Sequence, residues 1–159
     1  MVLFYNRVAV GRGLRNIQHK DILKKMADLI FVCENGGLGF GNYTLEEKAK
    51  LSDYPHQGDL YKIKTFKEIT KLEKNGSFVY ESVPGTKVEG FLADEKKVSF
   101  LVEGNDHTQI TLDLEEEKEY RVLVDDINLG NMATNIGGKL VISVDLTTGK
   151  PQNVVIERI

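Results

Sequence analysis

Apolar residues alternate with polar ones along the C-terminal half of the chain. The alternation covers residues 109–114, 120–124 and 139–146. In the first of these segments, Ile110, Leu112 and Leu114 are separated by Thr111 and Asp113. Because successive side chains of a β-strand point to opposite faces, this pattern predicts strands with one buried and one solvated face.

Turn residues separate further segments that are rich in β-branched and aromatic residues. Strands are predicted at 60–66, 68–73, 77–83, 87–93, 97–103, 127–134 and 153–159. Asn-Gly pairs at 35–36 and 75–76 predict tight hairpins, because type I′ turns need residues that accept a positive φ. Roughly ten short strands with frequent turns predict an all-β fold, a single antiparallel β-sandwich.

Three segments have a less regular pattern. Residues 44–50 are compatible with a turn of helix or an exposed strand, and Pro55 and Gly58 predict a loop over 53–59. Pro84 and Gly85 match the central pair of a type II turn, in which the glycine has a positive φ.

The first 25 residues differ in charge from the rest of the chain. They hold six basic residues against Asp21 alone, a net charge of +5, so the remaining residues carry −8 of the total of −3. We therefore expect a poorly structured basic N-terminal extension over 1–25 and a β-sandwich domain over 26–159. Met26 is a candidate for the true start, which would make the extension an upstream in-frame artefact. Apolar residues from Ile22 to Ile30 have a helical spacing across this boundary, but the pattern does not separate a helix from a strand there.

Composition limits the kinds of partner and the location that we expect for this protein. An acidic body argues against nucleic acid as a partner, since phosphate contacts need clustered Lys and Arg. The longest apolar run, 29–33, is too short for a membrane span. The sequence contains no secretory signal pattern, so the default expectation is a cytoplasmic protein, with surface association left open.

No residue pattern indicates catalysis, a cofactor or a metal. Cys33 is the single cysteine, and no serine lies in a Gly-x-Ser-x-Gly motif. Asp125, Asp126 and Asn128 offer oxygen ligands, but a tight hairpin turn explains the same residues. We predict no catalytic, cofactor-binding or metal-ligating residues.

Aromatic residues concentrate outside the strand interiors in one place. Tyr54 and His56 lie in the predicted loop, and Tyr61 follows it. These three residues are the candidates for a binding surface, with packing of Tyr54 beneath the loop as the alternative.

Several longer segments resemble one family of proteins. They are GFGNYTLEEKAK at 39–50, GDLYKIKTFKEITKLEKNG at 58–76, FVYESVPGT at 78–86 and the closing segment 135–144. Together they resemble short bacterial proteins that carry the name endosialidase, over about residues 26–159. The resemblance implies hydrolysis of internal linkages in sialic-acid polymers, and it implies that the chain begins near Met26.

The residues themselves favour another function. Sialidases typically hold the substrate carboxylate with three arginines, and residues 26–159 contain only Arg121 and Arg158. Our leading hypothesis is a small non-catalytic binding or structural module with a glycan or a protein as its partner. A glycoside hydrolase of the endosialidase type is the alternative, and the sequence leaves the oligomeric state open.

Overall fold

The computed structural model describes residues 29–159 and consists of two antiparallel β-sheets packed face to face. The predicted β-sandwich is thereby confirmed. The extension over 1–25 and most of the helical pattern from Ile22 lie outside the described residues. The strands are β1 (Ile30–Val32), β2 (Leu38–Phe40), β3 (Ala49–His56), β4 (Asp59–Phe66), β5 (Ile69–Lys74), β6 (Ser77–Val83), β7 (Lys87–Ala93), β8 (Lys97–Glu103), β9 (His107–Asp113), β10 (Glu119–Val124), β11 (Ile127–Ala133), β12 (Lys139–Asp145) and β13 (Gln152–Arg158).

Neighbouring strands run antiparallel throughout both sheets. The seven-stranded sheet has the order β1-β2-β7-β8-β13-β10-β11, and the six-stranded sheet has the order β12-β9-β6-β5-β4-β3. Burial follows the alternation in the sequence: in β12, Leu140, Ile142 and Val144 are buried between exposed residues. One core fills the space between the sheets, and its centre holds edge-to-face contacts of Tyr80 with Phe40 and with Phe100.

Tight turns connect strands where the sequence indicates them. Asn75 and Gly76 have φ of 51° and 82°, and they join β5 to β6 as the only two residues between these strands. Asp125 and Asp126 have φ of 49° and 66° between β10 and β11. Positive φ at both central residues identifies type I′ turns, so the hairpin interpretation of the pairs at 75–76 and 125–126 is confirmed. The Asn-Gly pair at 35–36 also lies in a hairpin, between β1 and β2, but only Gly36 has a positive φ, so the type I′ turn predicted there is wrong.

The predicted loop over 53–59 is wrong. β3 continues to His56, and only Gln57 and Gly58 lie between β3 and β4. The register of the pair shifts between Leu51 and Tyr54, which is a β-bulge, and β3 is the edge strand of its sheet. An edge strand tolerates Pro55 because one side of its backbone has no partner strand.

The predicted type II turn at Pro84-Gly85 is also wrong. Gly85 does not have a positive φ, and the Val83–Pro84 peptide bond is cis. Glycine is needed there for close approach, because a Cβ on Gly85 would lie 2.0 Å from the carbonyl oxygen of Phe66.

Buried hydroxyl groups line the inner face of the six-stranded sheet near this turn. The hydroxyl of Thr86 shares hydrogen bonds with the hydroxyls of Tyr80, at 2.8 Å, and Ser82, at 2.7 Å. The hydroxyls of Thr70 and Thr65 share a third hydrogen bond, at 2.7 Å. The Thr70 hydroxyl also donates a hydrogen bond to the carbonyl oxygen of Thr86. We call these five residues the hydroxyl cluster. Burial raises the pKa of the Tyr80 phenol, so Tyr80 stays a neutral hydrogen-bonding group.

Candidate functional site

A cleft of about 350 Å³ opens between the two sheets at one end of the sandwich. The turn before β2 and the end of β7 form one wall, and the β3–β4 turn with the start of β6 forms the other. Its apolar lining is contributed by both sheets: Leu38, Tyr61, Phe78, Val79, Phe91 and Leu92. The volume lies within the range of small-molecule sites in proteins.

Two aromatic rings from neighbouring strands stand together at this end. The ring centroids of His56 and Tyr61 are 6.1 Å apart and tilted by 56°. The Gln57-Gly58 turn brings them together, because it folds β4 directly back along β3. Both side chains are half-buried, and burial raises the pKa of the Tyr61 phenol, with the nearby Asp59 adding to the effect.

A polar group beside the rings is held in place by its neighbours. The Asn75 side-chain amide donates a 2.8 Å hydrogen bond to Asp59 Oδ1, and Lys74 Nζ lies 3.5 Å from Asp59 Oδ2. The hydrogen bond from Asn75 is the main cause of a lowered pKa of the Asp59 carboxyl, and Lys74 and His56 lower it further. Asp59 is therefore ionised at neutral pH and available as a hydrogen-bond acceptor.

A charged side chain also contacts an aromatic ring at the opposite rim of the cleft. Lys139 Nζ lies 4.5 Å from the centroid of the Phe78 ring, a cation–π contact, and forms a salt bridge with Asp113. Asp113 is directly opposite Lys139 in the β9–β12 register. Phe78 and Asp113 both line the cleft, so this pair extends its polar rim.

The three candidate residues from the sequence separate into two groups. His56 and Tyr61 line the cleft, whereas Tyr54 is 8% exposed and packs in the core. Tyr54 lies directly opposite Tyr61 in the register, and burial raises the pKa of its phenol. Tyr54 therefore supports the site from beneath and offers no accessible ring face.

Sequence reasoning missed Phe78, Lys74 and Asp113. Phe78 is in a predicted strand and shows no local signal of exposure. Lys74 and Asp113 end β5 and β9, two strands that are not neighbours in the sheet. The Asn-Gly turn at 75–76 was the one available signal, since it places the end of β5 and the start of β6 side by side.

The arrangement is suited to binding by aromatic contact and hydrogen bonding. Amphipathic rings with polar groups beside them match ligands that have both apolar faces and hydroxyl groups. A glycosidase pairs an acid, whose carboxyl pKa is raised, with an ionised carboxylate, and the lowered pKa of Asp59 fits only the second role. Within residues 29–159, no group of three or more His, Cys, Asp or Glu side chains is arranged to hold a metal ion.

Comparisons with known proteins give no relative for this chain: no family model, curated protein or solved structure matches it. The resemblance to endosialidase-named proteins therefore stays a prediction. In the part of the chain that the structure describes, no helix is both long and apolar enough to cross a membrane.

Proposed function

We propose that this protein is a non-catalytic binding module that holds a glycan in the cleft at the end of the sandwich. The observation that carries the proposal is the pairing of the half-buried His56 and Tyr61 rings beside the ionised Asp59. A sugar ring has an apolar face for aromatic contact and hydroxyl groups that donate to a carboxylate. The cleft supplies a group for each kind of contact, the rings of His56 and Tyr61 for the first and the carboxylate of Asp59 for the second.

A glycan-array screen with the purified protein tests the proposal. We expect binding to a defined group of glycans, and we expect Tyr61→Ala to weaken that binding by about tenfold through loss of the aromatic contact. The matched control is Tyr43→Ala, because Tyr43 is also half-buried but lies in a different surface cavity. Equal loss in both variants, or no binding by the unchanged protein, would contradict a glycan site in this cleft and would favour a protein partner.

Hydrolysis of sialic-acid polymers remains the alternative function, and the endosialidase resemblance is its support. A turnover assay on sialylated polymers separates the two proposals. Binding without the release of new chain ends supports the binding module. Sustained hydrolysis that is lost in Asp59→Asn would replace it with the hydrolase.

A further inference from the structure

The outer face of the six-stranded sheet carries a concentration of lysines. Lys50 on β3, Lys62 and Lys64 on β4 and Lys71 on β5 alternate with buried residues, so their side chains point away from the core. Lys48 lies just before β3, and its Nζ is 5.6 Å from the centroid of the Phe66 ring. We call these five residues the lysine face.

Three of these lysines lie directly opposite one another across three strands. Lys50 is the register partner of Lys64, and Lys64 is the register partner of Lys71. Side chains in such positions start from Cβ atoms about 5 Å apart, and like charges there are destabilising. The fold therefore accepts an unfavourable row of charge on this surface.

The row receives little compensation from the rest of the domain. The salt bridges formed among residues 29–159 include none of the five lysines. Two glutamates adjoin the lysine face: Glu81 is opposite Lys71 and ends the row on one side, and Glu73 is opposite Lys62. Partial burial lowers the pKa of Lys64, and the positive charges of Lys48, Lys71 and Lys50 lower it further.

We propose that the lysine face binds the surface of a lipid bilayer that carries anionic headgroups. The described chain forms two layers only, so no third layer covers this broad sheet face. Headgroup phosphates would neutralise the lysine row, and basic residues near an anionic bilayer are each attracted to it. Lysine presents a compact point charge, which suits headgroups that have no fixed orientation.

Apolar side chains at the margins of the face favour a bilayer over a soluble polyanion. Leu60 is 49% exposed at one margin, and Val83 is 51% exposed at another. Phe66 and Ile69 are half-buried register partners between the lysines and Val83. Apolar groups beside lysines can enter the headgroup layer, whereas a linear acidic polymer would gain only the charge contacts.

Vesicle sedimentation with the full chain tests this proposal. The probes are vesicles of phosphatidylglycerol mixed with phosphatidylcholine, and vesicles of phosphatidylcholine alone. We expect binding to the anionic vesicles only, and we expect the triple variant Lys50→Gln, Lys64→Gln, Lys71→Gln to lose at least about tenfold in affinity. Lys64→Gln alone is the milder variant, with a loss of about fivefold.

The opposite face of the protein provides a matched control. The triple variant Lys87→Gln, Lys97→Gln, Arg121→Gln removes the same net charge from the outer face of the seven-stranded sheet, and the basic segment 1–25 is unchanged in both. We expect this control to bind within about twofold of the unchanged protein. Equal losses in both triples, or no preference for anionic vesicles, would overturn the proposal. Tighter lysine-dependent binding to soluble dextran sulfate than to vesicles would also overturn it, by assigning the face to a polymer.

Discussion

The two outer faces of the sandwich arrange charge in different ways. Across the seven-stranded sheet, Glu157 lies between Lys97 and Arg121 in register, so that the sign alternates from strand to strand. Arg121 and Glu157 approach to 3.9 Å. Lys87 in the same sheet lies opposite Glu103, with a second carboxylate from Glu89 nearby.

The corresponding row in the six-stranded sheet repeats one sign three times, at Lys50, Lys64 and Lys71. Both rows are built on the same kind of antiparallel ladder, so the ladder itself does not impose like charges. The comparison shows that this fold can place opposite charges across from each other and does so on one face. The row of like charges lies on the surface for which we propose an anionic partner.

The inner faces differ as well. The six-stranded sheet contributes most of the hydroxyl cluster, while the inner face of the seven-stranded sheet has buried apolar residues such as Val98, Phe100, Val154 and Ile156. Polar groups therefore lie on both surfaces of one sheet. Inside the protein they are neutral and fully hydrogen-bonded, and outside they include a row of three like charges that has a glutamate at one end.

The largest expected effect comes from exchanging a hydroxyl for a methyl group on the inner face. Thr86→Val leaves the hydroxyls of Tyr80 and Ser82 without their shared partner, and we expect a loss of about 2 kcal/mol in the free energy of unfolding. The reverse exchange, Val154→Thr, adds an unpaired hydroxyl to the other sheet and is expected to destabilise as well. Urea unfolding measures the stability of both variants. If Thr86→Val leaves the free energy of unfolding unchanged, the hydroxyl cluster does not stabilise the six-stranded sheet, and the two inner faces do not differ in this respect.

A smaller loss is expected when the alternating row is converted into a like-charge row. Glu157→Lys places three positive charges in register across β8, β13 and β10, and we expect a loss of about 1 kcal/mol. Glu157→Gln serves as the control because it removes the attraction without adding repulsion. If the two variants have equal stability, like charges in register have no measurable effect in this protein.

The opposite change should stabilise the six-stranded sheet. Lys64→Gln removes the central charge of the lysine row, and we expect a gain of about 0.5 kcal/mol in the free energy of unfolding. Because the effect is electrostatic, added salt should reduce it. A loss of stability in this variant would mean that the Lys64 side chain contributes more by packing than its charge costs.

The smallest effect is the pH dependence of that gain. The pKa of Lys64 is lowered in the folded protein, so the cost of its charge is present below this pKa and disappears as the pH rises through it. The stability difference between Lys64→Gln and the unchanged protein should therefore shrink on the alkaline side.

The unchanged protein should itself lose stability above pH of about 10, the ordinary tyrosine pKa, because burial raises the pKa of Tyr80 in the folded state. Urea titrations of both proteins over this range measure the difference.

Much of the fold could be predicted from the sequence because it follows from local pattern. The alternation in 139–146 and the Asn-Gly pair at 75–76 specify a strand and a turn within a few residues of themselves. The errors occurred where a distant contact decides the local conformation. β3 keeps Pro55 in a strand because it pairs with β4 at an edge, and Gly85 is required by the carbonyl oxygen of Phe66.

The candidate site was predictable only in part for the same reason. His56 and Tyr61 were found because they are close in sequence and flank one turn. Phe78 and Asp113 reach the same cleft from β6 and β9, and nothing in their own segments indicates this position.

The sequence by itself determined that this protein is built from strands, where most of the turns lie, and which side of most strands is buried. These properties depend on side-chain alternation and on residues that accept a positive φ, both of which are local. Only the tertiary structure decided which strands are neighbours. That choice places Lys50, Lys64 and Lys71 in one row, assembles the hydroxyl cluster and opens the cleft, because register and sheet order join residues that are far apart along the chain.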